Sequence, residues 1–316
     1  MKKNFCGLAV LLILLASSCW GQEPIGNEQR EVAVTFDDLP AAGAYDLETT
    51  RALNKKLLAI ISANNIPAVG FVTGSRVYPG GARDSARLGI LSEWLDHGLE
   101  LGNHTFGHRD FHTISLTAFK AEVIRGESVV EPLLKARGKK LRYFRFPYLH
   151  TGRTRSMKDA AQRFLSERGY TVAPVSHDNQ EWIFAIVYDR AWKSGDTKTV
   201  KLIADSYLEY MKALFQYYEE LSKKLFGYEI RQVLLLHDNR LNADLFEDLV
   251  KMMRERGYKF VSLERALEDK AYSSPDTYVG SKGPSALQRW AITRGLTHQS
   301  EPKVPDQIQR MFAAAN

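Results

Sequence analysis

The chain has 316 residues, 44% of them hydrophobic and 25% charged, with a formal net charge of +6. That mix excludes a disordered, collagen-like or small disulfide-stapled protein. The length suits one large α/β domain as well as two smaller ones.

In chain order, the first stretch stands apart. Lys2 and Lys3 precede an uninterrupted apolar run over 7–16, followed by small residues to Gly21 and then Gln22, Glu23 and Pro24. The run is shorter than the roughly 20 residues that span a bilayer. It has no polar face, as a core helix would need. The pattern predicts a secretory signal peptide over 1–21 and export to the periplasm or the outside. A lipoprotein anchored at Cys19 is the less favoured form, because Ala16 stands where that signal usually has leucine. Cleavage removes two lysines and no acid, so the charge of +6 becomes +4, and it removes both cysteines, Cys6 and Cys19. Stability must then come from the core, without disulfides. No later apolar run is long enough to cross a membrane.

After a short linker over 22–30, strand-like runs alternate with amphipathic stretches. Strands are expected at 31–36, 67–73, 99–103, 141–146, 170–175, 232–236 and 258–262. Helices are expected at 47–64, 86–97, 116–137, 154–168, 200–225, 241–256 and 263–270. Such alternation means parallel strands with crossover helices, in a single barrel or a doubly wound sheet. Two segments depart from it. Residues 183–199 read as an irregular aromatic insertion, and 271–316 as a tail that wraps the domain.

Sites in parallel α/β folds lie at the carboxyl ends of strands. Those ends carry Thr35-Phe36-Asp37-Asp38, His104-Thr105-Phe106-Gly107-His108, Arg145-Phe146-Pro147-Tyr148, His177-Asp178-Asn179-Gln180-Glu181-Trp182 and Leu235-Leu236-His237-Asp238. Each has a plain alternative. Asp37-Asp38 reads alone as a turn. In a regular strand the two carboxylates point apart, but both reach a barrel mouth where the strand bends. His104 and His108, four apart, place two imidazoles on one side of a helical turn or tight loop. With Asp38 they make a His-His-Asp set suited to zinc or another divalent ion with open positions. Arg145 alone reads as a structural ion pair, and His237 alone as a buried core histidine. His97, His112, His150, His177 and His298 read as surface or loop residues, with His112 and His150 held in reserve for their closeness to the motifs.

Taken in order on one face, the five segments resemble the NodB-homology polysaccharide deacetylases, carbohydrate esterase family 4, over roughly 31–270. That family carries T-F-D-D, H-[ST]-x-x-H, R-x-P-Y, D-x-x-x-W and L-x-H. The chain departs at Leu39, where the family usually has glycine, and at Leu149, where glycine usually follows the tyrosine; both place bulk beside the groove.

The resemblance implies a single distorted (β/α)7-type barrel and a metal-dependent hydrolase that removes N-acetyl groups from an N-acetylglucosamine-containing polysaccharide. It implies Asp38, His104 and His108 as ligands of a divalent metal, zinc first and cobalt or nickel as alternatives. Asp37 would be the general base, paired with Arg145. The Tyr148 N–H would stabilise the oxyanion, and His237 would be the general acid, oriented by Asp178. Trp182 and Leu235 would line the acetyl pocket. An O-acetyl esterase acting on xylan is the alternative enzyme, and a sugar-binding module the non-catalytic one. No concentrated basic patch points to nucleic acid. No phosphate-binding glycine-rich loop points to a nucleotide cofactor. Oligomeric state is left open.

Overall fold

The computed structural model describes Met1, residues 30–297 and residues 300–315. The expected signal peptide, most of the linker and His298 lie outside the described residues. Arg30, expected in the linker, already opens the first strand.

Seven parallel strands form one curled sheet: β1 (Arg30–Leu39), β2 (Val69–Val72), β3 (Glu100–Asn103), β4 (Tyr143–Phe144), β5 (Thr171–Val172), β6 (Gln232–His237) and β7 (Tyr258–Phe260). Their order is β5-β4-β3-β2-β1-β6, with β7 paired to the first residues of β1. The ends of the curl are drawn together where His177, just past β5, forms an isolated parallel bridge with Leu234 of β6. The expected distorted α/β barrel is therefore the observed architecture.

Crossover helices cover the outside: α1 (Leu47–Ala63), α2 (Ser85–Asp96), α3 (Leu116–Lys135), α4 (Arg155–Glu167), α5 (Glu181–Lys193), α6 (Thr197–Phe226), α7 (Arg240–Glu255) and α8 (Leu263–Leu267). Asp46, Asp84, Ser115, Thr154, Asp196, Asn239 and Ser262 each accept a backbone N–H at a helix start, satisfying donors the helix itself cannot. Among the described residues, no helix is long and apolar enough to cross a membrane.

The period of two along each strand divides the core. Val32, Val34, Phe36, Leu234 and Leu236 face outward into the helical layer, where Phe36 meets Trp94 and Phe246 edge to face. Ala33, Val69, Phe71, Tyr143, Ala173 and Val233 fill the interior. The same parity carries Asp37, Thr73, His104, Arg145 and His237 to the mouth of that interior.

The structure corrects one expectation about segments and adds detail to another. The irregular insertion at 183–199 is the helix α5 and the start of α6. Ile183, Phe184, Val187, Tyr188 and Ala191 form the buried stripe of α5, a helical spacing that its aromatic content obscured. The tail contains two helices, α9 (Ala286–Thr293) and α10 (Asp306–Ala313). Trp290 of α9 is buried against Phe226 and Tyr272, and Phe312 of α10 meets Trp182 of α5.

Candidate active site

A regular strand would aim Asp38 away from Asp37. The β1–β2 register slips between Phe36 and Leu39, and Asp38 takes a left-handed φ of 67°. That bend turns both carboxylates to the same mouth. Asp37 Oδ1 accepts from Arg145 Nη1 at 2.8 Å, and the same nitrogen reaches Thr35 Oγ1 at 2.6 Å. Arg145 is fully buried, donates from Nε to the Ala173 carbonyl and lies 4.2 Å over the Phe71 ring. A buried guanidinium so fixed holds one carboxylate in one orientation.

His104 and His108 sit in a tight loop past β3, made by left-handed residues Thr105 (φ 67°) and His108 (φ 52°). His104 Nδ1 lies 2.9 Å from the Arg145 carbonyl. It therefore donates there, which leaves the Nε2 lone pair free for the mouth. His108 Nε2 stands 3.6 Å from Asp38 Oδ1, and the two imidazole rings are 4.9 Å apart at 63°. Burial, offset only in part by Asp38, pushes the His108 imidazole down to about 4. Burial pushes the Asp38 carboxyl up, but Arg76 and the three nearby imidazoles outweigh it and hold it far below the ordinary carboxylate range. Thr73 Oγ1 donates to Asp38 Oδ1 at 2.7 Å, and Arg76 Nη2 to Oδ2 at 3.0 Å. Two imidazoles and one carboxylate, with ligand atoms all within 4.8 Å of one another, fit a divalent cation of the zinc class.

His237 ends β6 beside Asp37, its register partner on β1. Its Nδ1 and its backbone N–H both lie 2.8 Å from Glu181 Oε1. This corrects the expected orienter: the carboxylate on the imidazole belongs to Glu181, not Asp178. Glu181 is fully buried at the first turn of α5, and Asn239 and Asn242 also donate to it. The Asn179 side chain accepts the Glu181 N–H, starting the helix, and a helical side chain leans back toward its own N-terminus. Burial alone would lower the His237 imidazole. Glu181, with Asp38 and Asp37 behind it, more than offsets that and raises it to about 9. Asp178 instead caps the Asn179 N–H. Burial, with Glu301 and Asp37 adding, pushes its carboxyl up to about 7.

The remaining expected residues lie around this centre. Tyr148 is 55% exposed, with its ring 4.6 Å from that of His108. Leu235 is buried in β6, its carbonyl accepting from Asn179. Trp182 is half exposed, edge-on to Phe312 at 5.3 Å. His177, read as a surface or loop residue, is fully buried between Phe215 and Tyr218.

A second Asp-His-His group lies beyond Tyr148: Asp110, His112 and His150. His150 Nδ1 is 2.7 Å from Asp110 Oδ1, and the imidazoles stack 3.9 Å apart at 9°. An ion lies in the plane of each ring it binds, and two stacked rings share no such plane. The group ties the two loops it joins.

Sequence reasoning missed Glu181, Thr73 and Arg76. The apolar stripe of α5 is the signal that would have put Glu181 on a first helical turn. No local pattern marks Arg76.

The polysaccharide deacetylase family model matches residues 25–172. An uncharacterized 30.6 kDa protein of Geobacillus stearothermophilus is 25% identical over 252 residues, covering 79% of this chain and 76% of that protein. The peptidoglycan deacetylase PdaC from Bacillus subtilis superposes at a TM-score of 0.48 with 22% identity, covering 76% of this chain and 91% of that one. A family 4 carbohydrate esterase from Streptomyces lividans, solved with acetate, gives 0.47 and 18% identity, over 75% and 95%. A family 4 pseudoenzyme from Bacillus anthracis gives 0.46 and 15%, over 76% and 66%.

Proposed function

We propose, on the match of residues 25–172 to the polysaccharide deacetylase family model, that the chain is an exported, metal-dependent N-deacetylase of that family. Its substrate would be an N-acetylglucosamine polymer of the chitin, peptidoglycan or poly-N-acetylglucosamine type, and its products acetate and a free amine.

The observation that carries this reading is a carboxylate and an imidazole side by side at one mouth, where Asp37 and His237 are register partners on β1 and β6. Asp37 is a carboxylate fixed by Arg145. His237 is an imidazole raised to about 9 by Glu181. Asp38, His104 and His108 would hold a divalent ion, which would supply Lewis-acid polarisation and a more acidic water. Asp37 takes the proton of the attacking water as its oxygen bonds to the acetyl carbon. The Tyr148 N–H offers a hydrogen bond to the oxygen on which charge develops. His237 gives its proton to the amide nitrogen as the carbon–nitrogen bond breaks. An amide anion leaves very poorly, so this step needs a loaded acid. The raised His237 supplies one at neutral pH, and an ester substrate would need it less. That difference favours an amide over an O-acetyl ester. A base, an acid and three metal donors together also weigh against a sugar-binding module. The apolar run at 7–16 supports export, and such polymers lie outside the cytoplasm.

The test is acetate release from chitin oligomers, peptidoglycan, poly-N-acetylglucosamine and acetylated xylan, with zinc, cobalt or nickel supplied. Release from one of the first three, lost on chelation and regained with metal, is the expected result. Release from xylan alone assigns an O-acetyl esterase. Binding without release under every metal assigns a binding module.

A further inference from the structure

Tyr148 and Leu149 are consecutive left-handed residues, with φ of 57° and 55°. Side chains other than glycine adopt that region rarely, because Cβ crowds the following carbonyl. Such a turn persists only where its surroundings over-determine it. Two bonds, Leu149 N–H to Phe146 O and His150 N–H to Pro147 O, lie within the turn. Packing beneath it is open. A cavity of about 360 Å³ lies there, lined among others by Phe146, Leu149, Thr151, Val175 and Tyr272.

The C-terminal segment packs onto the other side of the turn. Arg289 of α9 is buried and spreads its guanidinium over the turn. One terminal nitrogen, Nη2, donates to the Leu149 carbonyl, Nη1 donates to Thr151 Oγ1 at 2.9 Å, and Nε donates to the Pro284 carbonyl at 2.9 Å. Asp276 steadies this from the other side. Its carboxylate lies 3.7 Å from Arg289 Nη1 and 2.6 Å from Lys158 Nζ, and Lys158 is itself buried on α4. Gly283 rests directly on the Tyr148 carbonyl, and a Cβ there would collide with that oxygen. Trp290, one residue past Arg289, is buried against Phe226 and Tyr272 and fixes α9 in place.

We propose that Arg289 is a positioning residue: it holds the Tyr148–Leu149 turn in its left-handed conformation and so aims the Tyr148 N–H into the mouth. The C-terminal segment is then a working part of the site. The Leu149 carbonyl, which a left-handed residue turns outward, is received by the guanidinium fork. Glycine at 149 would adopt the same conformation unaided, so the need for Arg289 depends on what stands at 149. This inference rests on the proposed deacetylase reading for its kinetic consequence but not for its structural one.

The experiment is a double-mutant cycle in the full chain with metal supplied: Arg289→Ala, Leu149→Gly and both together, read by acetate release and by thermal unfolding. Arg289→Ala is expected to lower kcat by about tenfold with KM within about twofold, since a misaimed donor forfeits part of an oxyanion contact. Adding Leu149→Gly to it is expected to restore most of that loss. Arg289→Lys, which keeps the charge and loses the fork, is expected to behave like Arg289→Ala. If Arg289→Ala does not fold, Arg289→Lys replaces it in the cycle. An unchanged kcat in Arg289→Ala, or a loss that Leu149→Gly leaves intact, overturns the proposal. If the wild-type chain releases no acetate from any substrate, the deacetylase reading fails. The unfolding cycle then decides: non-additive midpoints, with glycine offsetting the loss of Arg289, support the turn-holding role, and additive midpoints end it.

Discussion

Two groups in this molecule have the same composition, one aspartate and two histidines, and lie on either side of Tyr148. In the first, His104 and His108 meet edge to face at 63°, and the His104 ring is locked by a backbone carbonyl so that its other nitrogen faces the mouth, 3.7 Å from Asp37 Oδ2. In the second, His112 and His150 stack at 9°, and Asp110 already occupies one ring nitrogen. The first can share an ion; the second holds two loops together. Residue type and proximity are equal in the two, so ring orientation separates them. That orientation is set by what grips the far side of each imidazole.

The comparison can be broken or sharpened by substitution. His108→Ala is expected to lose stoichiometric metal by elemental analysis and to lower turnover by about a thousandfold or more. Full metal retention in that variant would remove His108 as a ligand. Asp37→Asn is expected to keep its metal and still lose about a hundred- to a thousandfold in kcat. Near-normal turnover would show that Asp37 is not the base. Glu181→Gln tests the acid arm. His237 is raised to about 9 by Glu181 against the pull of burial, so the wild-type acid is loaded below that pH and activity falls as pH rises through it. Without the carboxylate, burial wins and the pKa falls, so the alkaline limb of kcat moves toward neutrality. The rate at pH 8 then drops by about tenfold or more. An unmoved limb would detach Glu181 from the acid. The smallest effect belongs to the second group. His112→Ala is expected to leave metal content unchanged and activity within about threefold. A fall in bound metal there would make the two groups alike after all.

Much of the fold and site was legible because both follow the period of the strand. Parity along β1, β3, β4 and β6 sends Asp37, His104, Arg145 and His237 inward, and parallel strands end on one rim. The helix α5 was legible in principle from Ile183, Phe184, Val187, Tyr188 and Ala191, but its aromatic content hid that spacing. The helix α9 also carried a readable start. Ser285 and Gln288 form a capping box, but a Ser-x-x-Gln pair is a weak signal without a long apolar stripe after it. Arg76 and Arg289 had no local signal. Each acts on residues remote in sequence, Arg76 on Asp38 and Arg289 on Leu149.

By itself, the sequence determined the alternation of strands and helices, the set of chemical groups on one rim and the family to which they point. Those depend on local periodicity and residue type, which spacing records. Tertiary structure decided which carboxylate serves His237, which imidazole pair can share an ion, how Asp38 turns to join Asp37 and what the C-terminal segment holds. Each of these rests on a left-handed backbone turn or a contact between distant elements. A side chain's direction there is fixed by what packs against it and not by its neighbours in the chain.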